Sequence, residues 1–143
     1  MTDTEQTFTA EERAAMKDRS AEVKRARRGR TTPEEDARDV AAKIDELEEP
    51  ERTLAHRVAA IIAEAAPGLV PKLWYGMPGW AKDGKNLCFF QSASKFKTRY
   101  ATIGFSDVAR LDEGTFWPNA FALTALTPEV EQRLADLVRR AAS

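Results

Sequence analysis

The fold of this chain is decided at Leu73-Trp74-Tyr75-Gly76-Met77-Pro78-Gly79-Trp80. Two Trp, one Tyr and one Met surround a Gly-Met-Pro-Gly break, and the stretch holds no acid, base or thiol. Aromatic residues favour strands and dominate packing. Gly and Pro interrupt regular structure. The stretch therefore reads as the end of one strand, a turn at Gly76–Gly79 and the start of the next strand. Its chemistry suits a packed wall or a ligand-contacting surface, and it offers nothing to a catalytic centre.

Upstream of this stretch the pattern is helical. Thr32-Pro33-Glu34-Glu35 combines a capping Thr, a first-turn Pro and the Glu of a capping box. Ala37, Val40, Ala41, Ile44 and Leu47 follow at helical spacing. Pro50 ends that helix. A second runs over about 51–66 with Leu54, Val58, Ile61, Ile62 and Ala65 inward, and Pro67-Gly68 closes it. Downstream, the texture becomes aromatic and β-branched. Strands are predicted over 70–75, 79–82, 86–92, 95–105 and 115–126, with Asp83-Gly84 as a hairpin turn and a single helical turn at 106–110. Strand 86–92 sets Leu87 and Phe89 on one face and Cys88 and Phe90 on the other, so it reads as central. Thr127-Pro128-Glu129 starts a last helix with Val130, Leu134, Leu137, Val138 and Ala141 inward. Strands joined by short turns pair antiparallel. The expected fold is α+β: a two-layer sandwich in which an antiparallel sheet of about five strands carries the N-terminal and C-terminal helices on one face.

Residues 1–31 read as a flexible arm, and 32–143 as the domain. Thr9 and Glu12 form a capping box, so a marginal helix is expected from there to about Arg28. Its apolar content is mostly Ala, with only Met16 and Val23 larger, and such a helix has little stability alone. Few long-range contacts are expected of it. Its end is basic through Lys24, Arg25, Arg27, Arg28 and Arg30.

Bulk properties remove several function classes. With 22 Lys+Arg against 23 Asp+Glu, the 143-residue chain has no global attraction to nucleic acid or anionic membrane. No apolar run approaches the roughly eighteen residues of a membrane span. The early residues carry acids and no signal-type apolar core, so a cytoplasmic location is expected. The one cysteine, Cys88, excludes an internal disulfide and an all-Cys metal site. His56 is the one histidine and stands outside any ligand motif. Phosphate-loop, dinucleotide and serine-elbow motifs are absent. The sequence leans away from an enzyme.

Helix, helix, Tyr75-Gly76-Met77-Pro78, the turn Lys82-Asp83-Gly84-Lys85, an apolar strand and Ile103-Gly104-Phe105 together resemble the YdhG-like domain of unknown function. That group is labelled an iron chaperone and placed near the YjbR and frataxin-like folds. The resemblance covers about residues 35–142. It implies iron as the ligand, held by exposed carboxylates of the first helix, here Glu35, Asp36 and Asp39. Residues 34–51 hold nine acids against Arg38 and Lys43, and oxygen ligands suit iron. Such charge runs are more often a solvated helix face.

A second reading needs no resemblance. Tyr75, Met77, Trp80, Lys82 and Trp117 are expected to line a ligand surface on the open sheet face, rimmed by Lys85, Lys95, Lys97 and Arg99. Aromatics interleaved with cations hold single strands in some proteins, and equally hold a protein partner or a small anionic ligand. The lack of a ribonucleoprotein motif disfavours nucleic acid. The sequence thus yields two functions: a non-enzymatic iron-binding or iron-chaperone-like protein, or a binding module using the open sheet face.

Overall fold

The computed structural model of the chain describes residues 9–28 and 31–143, and for residues 25–28 the backbone alone. The basic side chains of Arg25, Arg27, Arg28 and Arg30 fall outside the described residues. The elements in chain order are α1 (Ala10–Arg28), α2 (Pro33–Asp45), α3 (Glu51–Ala65), β1 (Val70–Pro71), β2 (Gly79–Lys82), β3 (Lys85–Gln91), α4 (Ala93–Phe96), β4 (Ala101–Phe105), β5 (Ala120–Leu123) and α5 (Pro128–Ala142).

The expected helix starts are present. Thr32 and Glu35 close a capping box, with Glu35 N–H donating to Thr32 Oγ1 at 3.1 Å and Thr32 N–H donating to Glu35 Oε1 at 3.2 Å. Thr127 caps α5 through a bond from Val130 N–H. Val40 and Ile44 of α2, Ala55, Val58, Ile61 and Ile62 of α3, and Leu134, Val138 and Ala141 of α5 are buried in one core cluster. No described helix is long and apolar enough to cross a membrane.

The sheet is a five-stranded antiparallel meander in the order β1-β2-β3-β4-β5, with β3 central as expected. Cross-strand rows define its two faces. Trp80 pairs with Cys88 and Cys88 with Phe105; Phe90 pairs with Ile103 and Ile103 with Phe121. These residues join the helical core cluster, so this face lies under α2, α3 and α5. The other face carries Gly79, Phe89, Gly104 and Ala120 as one paired row. A Cβ on Gly104 would collide with the Phe89 ring, so the glycine lets that ring lie flat over its neighbour.

The faces of β3 differ from simple alternation. Its register against β2 shifts between Trp80 and Ala81, which leaves Leu87 as an unpaired bulge residue. Leu87 therefore joins Cys88 and Phe90 in the core cluster, and Phe89 alone of the four faces away.

Other boundaries also moved. The strand expected over 70–75 is only Val70–Pro71. The turn comes two residues early: Trp74 and Met77 exchange two backbone hydrogen bonds of 2.8 Å, and Tyr75 and Gly76 are the central pair. The basic half of the strand expected over 95–105 is instead the end of α4 and the irregular segment 97–100 after it, and the segment 106–110 is a turn closed by Ala109 N–H on Ser106 O. The last strand is confined to Ala120–Leu123.

Candidate functional site

Two features adjoin Leu73–Trp80: a cleft on the outer sheet face, and the Tyr75–Gly76 turn beside it.

The cleft has a volume of about 730 Å³. Ala81, Asn86 and Ser106 form its floor, Trp74 a wall, and Arg19, Glu22 and Val23 of α1 a second wall. Ala81 is buried yet stands outside the core cluster, as an outward residue covered by this wall would. The floor is rigid. Asn86 Nδ2 donates to Cys88 O at 3.1 Å, and its Oδ1 accepts from Ser106 Oγ at 2.6 Å. Lys72 and Lys85 add two cations, which make no ion pair among the described residues. Asp36, Asp39 and Asp107 also line the cleft. The lining thus offers both signs of charge, one indole face and an apolar floor patch.

The turn next to it is tightly determined. Tyr75 has φ 52° and Gly76 φ 76°. Positive φ at both central residues is what a two-residue hairpin turn of type I′ requires. The Glu22 carboxylate accepts from both N–H groups, Tyr75 N–H at 3.2 Å on Oε1 and Gly76 N–H at 2.9 Å on Oε2. Lys95 Nζ donates to Gly76 O at 3.3 Å and lies 3.5 Å from Asp18 Oδ2. The Arg19 guanidinium sits 4.5 Å from the Trp74 ring and 5.5 Å from that of Tyr75. These two rings meet edge to face at 4.8 Å.

α1 therefore meets the domain through a few polar contacts, fewer than the core helices make. Lys97 and Glu11 add a pair at 3.0 Å, and hydrogen bonding to Lys97 lowers the Glu11 pKa. The attraction is polar. Among the described side chains of α1, Ala15 is the one apolar group that is buried. The apolar stripe is small, as the sequence implies, and the carboxylates Glu11, Asp18 and Glu22 face partners far along the chain.

The residues expected on a ligand surface do not come together. Trp80 is 2% exposed in the core cluster, and Met77 is buried. Lys82 reaches the other way, donating to Ala142 O at 2.7 Å at the C-terminal end of α5, where a cation complements the helix dipole. Trp117 packs partly buried against the core, and its neighbour Phe116 is 94% exposed. Of the expected basic rim only Lys85 lines the cleft; Lys95 and Lys97 hold α1, and Arg99 stacks on Tyr100 at 5.3 Å. Tyr75 keeps a place beside the cleft through Trp74 and Arg19.

The carboxylates named for iron divide. Glu35 is engaged in its capping box, while Asp36 and Asp39 line the cleft. Among the described residues no group of three or more His, Cys, Asp or Glu is arranged to hold a metal ion. His56 Nε2 lies 2.8 Å from Asp45 Oδ1, joining α2 to α3 on the surface. Cys88 is fully buried, and burial pushes its thiol up to about 12. Thiolate chemistry at neutral pH is excluded there.

A third polar assembly is structural. The Glu51 carboxylate accepts from the Ser92 and Ser94 hydroxyls and from the N–H groups of Ala93 and Ser94, at 2.5–3.0 Å. Burial alone would raise its pKa. The bonds from Ser94, Ser92 and Ala93 outweigh that and hold the carboxyl below its ordinary value.

Comparison with known proteins gave no matching family model, no matching curated protein and no matching solved structure.

Proposed function

We propose that this chain is a non-enzymatic binding module whose ligand is a small polar molecule bearing an anionic group, held in the cleft beside Trp74. The observation that carries this reading is the pair Lys72 and Lys85, directed at a 730 Å³ cleft with an indole wall and a hydrogen-bonded floor. Small-ligand sites typically combine an apolar lining with a few fixed polar groups. The floor is built from the outer sheet face, as the binding-module reading requires, although the residues are other than those the sequence suggested. Asp36, Asp39 and Asp107 in the same lining argue for a ligand that also carries a donor. They argue against a nucleic acid strand, which would be repelled.

A titration of labelled protein with small organic acids tests this. The Trp74 indole and the amides of Ala81, Asn86 and Ser106 should shift, and Lys72→Glu with Lys85→Glu should weaken binding. A hydrogen bond to a charged group contributes about 1.5–3 kcal/mol, so each lysine is worth about tenfold or more. No shift with any acid, or equal affinity in the double variant, contradicts the reading.

Iron handling, implied by the YdhG-like and frataxin-like resemblance, keeps one supporting observation: Asp36 and Asp39 share the rim of the same cleft. Ferrous iron should then broaden amides at 36–39 in the wild type and leave them sharp in Asp36→Asn/Asp39→Asn. Broadening that is equal in both proteins removes that support.

A further inference from the structure

The turn beside the cleft already holds an oxyanion, and the chain supplies it. Tyr75 and Gly76 place two successive backbone N–H groups on the two oxygens of the Glu22 carboxylate, one on each. Successive N–H groups that converge in this way form an anion-binding concavity. Lys95 sits on the same turn through Gly76 O and brings a positive charge. The two N–H groups belong to the turn between β1 and β2 and the nearby cation to α4, all in the body of the protein. The body therefore carries the two N–H groups and the cation of an anion site, and α1 sets the Glu22 carboxylate on them, with its own Arg19 3.6 Å from that carboxylate.

The way α1 is held fits a displaceable cover. Glu11, Ala15, Asp18 and Glu22 recur at intervals of four, three and four, one stripe of a helix. Glu11 meets Lys97, Asp18 meets Lys95, and Glu22 meets the turn. Ala15, 7% exposed, is the sole buried apolar group on that stripe. A helix with so little apolar burial depends on its docking partners, and contacts between partly exposed charges weaken with salt. The body keeps its own core without it, because the core cluster contains no residue of α1.

We propose that the Tyr75–Gly76 turn, with Lys95, is a binding site for the carboxylate of a small molecule, and that α1 masks it by inserting Glu22. Ligand and α1 then compete, and binding releases the helix. A carboxylate is assigned because the two N–H groups address two oxygens of one planar group. The inference stands on the turn and α1, and does not require the cleft to hold a ligand. Its readouts are the Tyr75 and Gly76 amides, whereas the cleft reports through Ala81, Asn86 and Ser106, so failure of either is seen separately.

The test uses the full chain and its Glu22→Gln variant, both isotopically labelled, titrated with sodium acetate at constant ionic strength. A tethered competitor acts at an effective concentration on the order of millimolar or above. The Tyr75 and Gly76 amides should therefore move saturably in Glu22→Gln at an acetate concentration at least about tenfold lower than in the wild type. Adding Lys95→Met to that variant should raise the midpoint again by about tenfold. Equal midpoints in wild type and Glu22→Gln overturn the masking. Shifts that sodium chloride reproduces overturn the site. Inorganic phosphate binding more tightly than acetate overturns the carboxylate assignment. Loss of the fold in Glu22→Gln overturns the claim that α1 only covers a finished body.

Discussion

Gly76 answers two demands at once. Its φ of 76° lies in the left-handed region, and a Cβ there would collide with the Asp18 carboxylate. Gly76→Ala should lower the urea-unfolding free energy by about 1–2 kcal/mol from the backbone term alone, and should also loosen α1, seen as faster amide exchange at 18–22. A loss of stability without any change in α1 would separate the two demands. Trp80 makes the opposite point. The sequence places it on a ligand surface, but it is buried in the core, so Trp80→Ala should cost about 3–5 kcal/mol, as deletion of a buried large aromatic does. A cost under about 1 kcal/mol in urea unfolding would mean that the ring is not core. Cys88 gives a pH test. With its thiol pushed up to about 12, it should resist alkylation at pH 8 while the protein is folded and react promptly in denaturant. Whether a side chain on β2 or β3 faces in or out was legible only up to register. A period of two fixes relative faces, but the bulge at Leu87 exchanges them, and nothing local in Asn86-Leu87-Cys88 announces it.

At the scale of elements, helices with their own start signals were legible, because Thr32-Pro33 and Thr127-Pro128 act within four residues. Segment 93–99 was not. It reads as a basic half-strand, but Ser92 caps it and Glu51, more than forty residues away, binds its first N–H groups. Lys97 then ends it at φ 57°. A partner that distant is invisible to a window-based reading. Glu51 also sets a pH dependence. Its folded pKa is lowered from the ordinary 4.5, so its stabilising contribution is complete above that value and is lost as pH falls through the lower folded value. Exchange protection at Ala93 and Ser94 should therefore fall selectively below about pH 4, and Glu51→Gln should show the reduced protection already at neutral pH. Protection that ignores pH down to global acid unfolding would contradict this role. α1 was legible as a helix but not as a docked one, for the same reason: Glu11, Asp18 and Glu22 find Lys97, Lys95 and the turn only in three dimensions.

For the whole molecule, the α+β sandwich followed from element order and short turns, since a meander with flanking helices has few other ways to bury its apolar rows. The site did not follow, since the cleft draws on α1, α2, β2, β3 and the loops after β1 and β4 at once. The core cluster ties α2, α3, α5 and the sheet into one unit, and α1 lies outside it. Units held by few apolar contacts open first, so amides of α1 should exchange well before those of Leu87 or Val138, and the gap should widen at high salt, where the Debye length falls to about 3 Å. Equal exchange rates for α1 and the core would contradict the division. α1 sits on the Trp74–Met77 turn through polar contacts. Proton spectroscopy of the wild-type chain at low salt tests it most directly. These contacts predict cross-relaxation between Gly76 Hα and Asp18 Hβ, and upfield-shifted Arg19 side-chain protons above the Trp74 ring, both fading as salt is added. Arg19 protons at random-coil positions, with no contact from α1 to the turn at any salt concentration, would contradict it.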